Sequence, residues 1–217
     1  LLDPFGLDRS MADARLTAPE ICDLLELDPL REAAALHRHE LATLRSWIAA
    51  TAIRWGADPE TRGSNGLPIF SGNSWRDGLD RLVAGAASGV HEGLINGLAP
   101  WAGDTAGSAD LIGRFSGWFT TLSAALSDLH RARSLNHWAI DLPHLTDTLL
   151  VADDDATIAL RAQVAALLEA AALHASDQPI ELAVVRDLLS SALAEQAQAG
   201  AFLWGGITIA ELKPLRT

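Results

Sequence analysis

"HELATLRSWIAATAIRWG", residues 39–56, decides the fold class. Leu41, Leu44, Ile48 and Ala52 recur every three or four residues, which places them on one stripe of a helix. Gly56 suits the position just past the end of that helix. Upstream, "TAPE" (17–20) offers a capping box between Thr17 and Glu20 with Pro19 in the first turn, ahead of apolar Ile21, Leu24 and Leu25. Asp28-Pro29 restarts a short helix by the same logic. Downstream, Ser74 and Asp77 cap "WRDGLDRLVAGAA" (75–87), with apolar Trp75, Leu79, Leu82, Val83 and Ala86. The longest predicted helix carries Leu111, Phe115, Trp118, Leu122, Leu126 and Leu129. "SLNHWAIDLPHLTDTLL" (134–150) is helical in pattern, and Pro143 is expected to kink or split it. Two further helices follow in "DDDATIALRAQVAALLEAAAL" (153–173) and "PIELAVVRDLLSSALAEQA" (179–197), with acids in their first turns.

The connections are as informative as the helices. Residues 1–16 have no clear period and read as a connector. From Ala57 to Asn73, Pro59, Gly63, Gly66, Pro68 and Gly72 predict a loop; a loop of about seventeen residues is uncommon in a compact domain and is usually functional or mobile. A second glycine-rich loop runs from about Gly89 to Gly107. Only "GITIAEL" (206–212) alternates in the manner of a strand. A lone strand leaves its backbone groups unpaired, so this one is expected to join a sheet built by sequence outside the chain. The alternative is a hairpin with "LPIF" (67–70). The chain therefore reads as mainly α: a connector over 1–16, a helical subdomain over 17–200, and a strand over 201–217 that re-enters an adjoining domain. Its first residue, Leu1, is read as the mark of processing or of a piece of something longer.

Composition narrows the function classes. The net charge is −12, so contact with a nucleic acid requires a local basic patch or a neighbouring chain. The single cysteine, Cys22, excludes an internal disulfide and fits a reducing compartment. No apolar run reaches the length of a membrane span. "HRHE" (37–40) places two histidines two apart, the wrong spacing for one helix face, and reads as a solvated turn. His130, His137 and His144 recur every seven residues, but breaks near Ser134 and Pro143 separate them. "DDD" (153–155) reads as a helix cap before it reads as a cation site. There is no phosphate-binding loop, nucleophile elbow or zinc-protease motif, so no catalytic residue, metal or cofactor is assigned, and neither ATP binding nor nuclease activity is expected of the chain alone. Most of the seven tryptophans fall at apolar helical positions, where core packing is the default. The predicted core includes Leu44, Trp47, Ile48, Leu79, Leu82, Phe115, Trp118, Leu122 and Leu188.

Three stretches in register carry a family resemblance. "LATLRSWIAATAIRWGAD" (41–58) resembles the RecC-family pattern LRxWVxxxGIRWGxD, and "NSWRDGLDRLVAGAA" (73–87) resembles its NTWxxGLxRLLLGYA. The C-terminal 39 residues from Pro179 resemble PLxLLRDxLxxxLxxxxxxxxFLxGxVTxCxLxPMRS. Between Gly89 and Ala175 the chain departs freely, apart from helical patterning and Trp138. The resemblance implies a superfamily-one helicase architecture without ATPase motifs, with this chain as the helical insertion of the second RecA-like half. It implies RecB-like and RecD-like partner subunits, DNA handling in the assembled exodeoxyribonuclease V, and a bacterial cytoplasmic, nucleoid-associated location. The terminal "LKPLRT" stands where an active helicase carries a glycine-containing motif. Lys213 and Arg216, at the exit of the strand, are the candidate phosphate contacts; as plain residues they are a solvated pair at a frayed terminus. An AddB-type helicase relative and an independent adaptor that holds a partner helix in a groove are the competing readings.

Overall fold

The computed structural model describes residues 15–201, except 65, 67, 89–92, 102, 104–106, 152, 153 and 174–176, and gives only the backbone for 64 and 195–201. The described chain is helical: α1 (Ala18–Leu24), α2 (Asp28–Ala33), a 3-10 turn (Arg38–Glu40), α3 (Leu41–Ala50), α4 (Pro59–Ser64), α5 (Trp75–Ser88), α6 (Ala109–Leu129), α7 (Leu135–Leu149), α8 (Asp155–Ala172) and α9 (Leu182–Ala201). Among the described residues, β pairing is limited to two isolated bridges, Ile95 with Leu98 and Arg133 with Ile180. The expected terminal strand over 206–212 lies outside the described residues.

The capping box of α1 forms as its sequence requires: the Thr17 N–H donates to Glu20 Oε2 at 2.8 Å and the Glu20 N–H to Thr17 Oγ1 at 3.4 Å. The Ser74 hydroxyl likewise accepts from the Asp77 N–H at the start of α5. Asp154 caps α8 by accepting from both the N–H and the hydroxyl of Thr157. Asp28, by contrast, is the first helical residue of α2 and caps nothing; its carboxylate pairs with Arg31 and Arg38. No acid lies in the first turn of α9.

Two hydrophobic cores follow from the apolar stripes. The first gathers α1, α3, α5 and the N-terminal two-thirds of α6, around Ile21, Leu44, Trp47, Ile48, Trp75, Leu82, Phe115, Trp118 and Leu122. The second joins Leu129 at the end of α6 to Trp138, Leu142, Leu168 and Val185 of α7, α8 and α9. Leu126 packs against both, so the long α6 links them. Trp75 is fully buried and stacks on Phe119 at 4.6 Å between ring centroids. Of the predicted core, Leu188 is only half-buried; on α9 the inward positions are Val185 and Leu189. Val83 is likewise 45% exposed, because α5 turns Leu79 and Leu82 inward instead.

Three further expectations are corrected. The 57–73 segment is not all loop: Asp58 accepts from the Thr61 N–H and starts the short helix α4. Pro143 does not split its helix; α7 runs through it, with Leu135, Trp138 and Leu142 buried around it, so tertiary packing overrides the propensity. Leu16, the last residue of the expected connector, is buried, and its carbonyl accepts from Trp75 Nε1 at 2.6 Å. Finally, α3 ends at Ala50 rather than near Gly56.

The end of α3 has a defined geometry. The Ile53 N–H returns to the Ile48 carbonyl and the Ala52 N–H to Ala49, while Ala52 takes a φ of 58°. This is a Schellman ending with alanine in the left-handed position that glycine prefers. The RecC-family pattern has glycine there. Ala52→Gly is therefore expected to stabilise the chain by about 0.5–1 kcal/mol, because the αL strain on alanine outweighs the added freedom of the unfolded chain. Chemical denaturation reads the change, and a loss of stability would contradict the assigned backbone geometry.

Ile53, fully buried after that ending, meets Gly78 on α5. A Cβ on Gly78 would lie 2.1 Å from Ile53 Cγ1, so the mid-helix glycine exists to let the α3 exit pack against α5. The Arg81 guanidinium closes the same junction, donating to the carbonyls of Thr51 and Ala99.

Candidate nucleic-acid interface

A phosphate-binding surface needs cations that are free to leave water for an anion. Among the described residues most arginines are committed elsewhere. Arg31 is buried against Asp28 and the carbonyls of Leu25 and Glu26. Arg45 pairs with Glu26, Arg131 with Asp128 and Arg161 with Asp147. Arg133 spans Asp128 and Asp141 while its guanidinium lies 4.6 Å above the Trp138 ring. Trp138 in turn donates Nε1–H to the Ile180 carbonyl, which anchors the chain entering α9.

The most elaborate of these centres is Arg62 on α4. It is 4% exposed and faces no carboxylate at salt-bridge distance among the described residues. One terminal nitrogen donates to the carbonyls of Phe70 and Gly72, at 2.7 and 2.9 Å, and the other to that of Trp55 at 2.7 Å. Its carbon lies 4.2 Å above the Trp55 ring, a cation–π contact. Gly56, at a φ of 78°, leaves room beside it: a Cβ there would sit 2.9 Å from Arg62 Nε. The next strand of the knot is Asn73, which accepts at its carbonyl from the N–H groups of Arg54 and Trp55 and donates Nδ2–H to the Ala52 carbonyl. Thus the two N-terminal stretches that carry the family resemblance meet in space and hold each other.

"HRHE" is a surface corner, as expected. His37 and His39 are exposed and stack at 5.4 Å, and the Glu40 carboxylate accepts from the His37 N–H at 2.7 Å while it pairs with Arg114 of α6 at 2.8 Å. The Arg114 bond, helped by the His37 N–H, lowers the Glu40 pKa to about 2. Its folded pKa is depressed, so its stabilisation is fully present above the unfolded value near 4.5 and is lost as pH falls towards 2. With Glu40 partly open to solvent, about 1–2 kcal/mol is expected. Wild type should exceed Glu40→Gln by that amount at pH 7, with the gap closing below pH ~4; a gap independent of pH would remove the Glu40–Arg114 bond from the account.

His130 ends α6, while His137 and His144 lie on α7, and among the described residues no cluster of three potential ligands could hold a metal. Burial raises the Cys22 thiol pKa above its ordinary value, which disfavours the reactive thiolate. No described helix is long and apolar enough to cross a membrane. Lys213 and Arg216 lie outside the described residues, as do "WGG" (204–206) and Asp153. Sequence reading passed over Arg62, which no motif marks. It also passed over a tight turn at Asn96-Gly97, where Ile95 and Leu98 exchange both backbone hydrogen bonds. The Asn-Gly dipeptide was the available signal for that turn.

These features define a helical packing domain whose marked residues bind one another. The family model for the "RecBCD enzyme subunit RecC fourth domain" matches residues 9–197, and the chain belongs to that family. It is 30% identical to the RecBCD enzyme subunit RecC of Mycolicibacterium smegmatis over 209 residues, covering 96% of this chain and 19% of that protein. It is 29% identical to the same subunit of Mycobacterium tuberculosis H37Rv over 210 residues, 96% of this chain and 19% of the relative. Against the Escherichia coli K12 subunit it is 27% identical over 223 residues, the whole of this chain and 20% of the relative. The chain thus spans about a fifth of the length of the curated relatives it matches.

Proposed function

We propose that this chain is a scaffold and DNA-handling domain of a RecC-like subunit in a double-strand-break repair helicase–nuclease, without ATPase activity of its own. One observation carries this reading beyond the family match: the two N-terminal motif stretches are spent on an internal knot of Trp55, Arg62, Asn73 and Trp75, not on a reacting centre. The partners are RecB-like and RecD-like subunits and DNA, in keeping with the relatives' being RecBCD enzyme subunits. The helical subdomain spans 17–200, after a connector over 1–16, and the 201–217 segment re-enters a helicase-like sheet. That places Lys213 and Arg216 beside the path of a single strand in the bacterial cytoplasm, at the nucleoid. In the assembled complex, Lys213→Ala with Arg216→Ala is expected to weaken DNA binding across all sequences and to flatten its salt dependence by roughly one to two units of slope. Titrations at several salt concentrations test this, and an unchanged slope and affinity would take the pair off the DNA path.

A further inference from the structure

The segment from Pro68 to Gly72 exposes two large apolar side chains, Ile69 at 77% and Phe70 at 60%. It is nevertheless not a loose loop. Arg62 holds the carbonyls of Phe70 and Gly72 from beneath. The Phe70 ring lies against Gly72, where a Cβ would be 2.4 Å from Cε1, and Ile69 lies over Gly63 of α4, 3.0 Å from the place of its Cβ. Both side chains are thus seated on glycine backbone and presented in one orientation. Next to them is a cleft of about 290 Å³, walled by Ser71 on one side and by the Asn96–Leu98 turn on the other. Leu94, 70% exposed, leads into that turn. Glu60, Asp77 and Asp80 also line the cleft, with a single guanidinium, Arg76.

The geometry points to a protein-docking knob: Ile69 and Phe70, with Leu94, insert into an apolar groove of another subunit whose rim is basic and meets Glu60, Asp77 and Asp80. Aromatic anchors fixed before contact lose little freedom on binding, which is what makes them dominant at interfaces. The three carboxylates beside the knob repel phosphates, so a base-stacking role on DNA is disfavoured and a Lys- or Arg-rimmed protein surface is matched.

This inference rests on the proposed reading that the chain works inside a multisubunit complex. The test uses the full-length RecC-family polypeptide that contains these residues, with the RecB-like and RecD-like subunits of the same genome as probes. Ile69→Ser with Phe70→Ser is expected to raise the Kd for one of the two subunits by about tenfold or more, with the Tm of the unbound polypeptide unchanged. Glu60→Gln with Asp80→Asn should weaken the salt dependence of the same association. Unchanged affinity for both subunits would overturn the proposal. So would a fall in the Tm of the unbound polypeptide, which would mean that the knob packs inside its own chain, or a loss of DNA binding with assembly intact. Failure of the wild-type polypeptide to bind either subunit would instead overturn the complex reading itself.

Discussion

Trp75→Ala is expected to remove about 4–7 kcal/mol of folding stability, the largest effect of any substitution considered. Trp75 is fully buried at the first position of α5 and does three things at once. Its ring fills the space between Phe119, stacked at 4.6 Å, and Phe115, edge-on at 6.0 Å. Its Nε1–H satisfies the carbonyl of buried Leu16. Its backbone N–H donates to Gly56 and fixes the turn beside Arg62. Truncating a buried tryptophan costs about 3–5 kcal/mol in transfer and cavity terms, and leaving the Leu16 carbonyl unpaired adds about 1–2 kcal/mol. A domain of this size has about 5–15 kcal/mol in all, so the loss takes from about a quarter of that stability to all of it. Trp75→Phe keeps most of the packing and loses the hydrogen bond, and should fall between the two. Urea unfolding of the three proteins checks the series. A Trp75→Ala chain within ~1 kcal/mol of wild type would show that the first core is not built on this ring.

What the sequence made legible, and what it did not, divides along a physical line. Helices are local, and their stripes placed eight of the nine predicted core residues correctly, from Leu44 to Leu122. The exception, Leu188, sits on α9 beside Leu189, where apolar residues are dense enough that the pattern does not single out the inward stripe of Leu182, Val185 and Leu189. Caps were legible for the same reason, since Thr17, Ser74 and Asp154 act on N–H groups three residues away. The fate of Pro143 was not, because the contacts that keep α7 whole come from α8 and α9. The order of the 57–73 segment was not legible either. Glycines and prolines predicted a loop correctly for Pro68–Gly72, yet nothing local says that Arg62 reaches eight and ten residues ahead to two carbonyls. The candidate phosphate contacts, Lys213 and Arg216, came from resemblance alone.

That reach makes Arg62 the second position of large effect. A buried guanidinium without a carboxylate is stable only while carbonyl oxygens surround it, and here three do, with an aromatic face below. Arg62→Met keeps the apolar stem and removes the donors, stranding the Trp55, Phe70 and Gly72 carbonyls. Hydrogen bonds to a charged group contribute about 1.5–3 kcal/mol each, and part of the loss is recovered as the segment opens to water, so a net cost of about 3–4 kcal/mol is expected. Arg62→Lys should rescue little. An ammonium cannot donate to carbonyls diverging from two nitrogens while lying flat on an indole ring. The damage should also be local before it is global. The amides of Arg54 and Trp55, which donate to the Asn73 carbonyl, and of Ser74, which donates to that of Ser71, should exchange with solvent faster in Arg62→Met, while amides within α7 and α8 keep their protection. Uniform acceleration across both cores would mean that Arg62 supports the whole domain rather than this segment. Unchanged exchange at Arg54, Trp55 and Ser74 would mean that the segment is held by something else, and that Ile69 and Phe70 owe their presentation to other contacts.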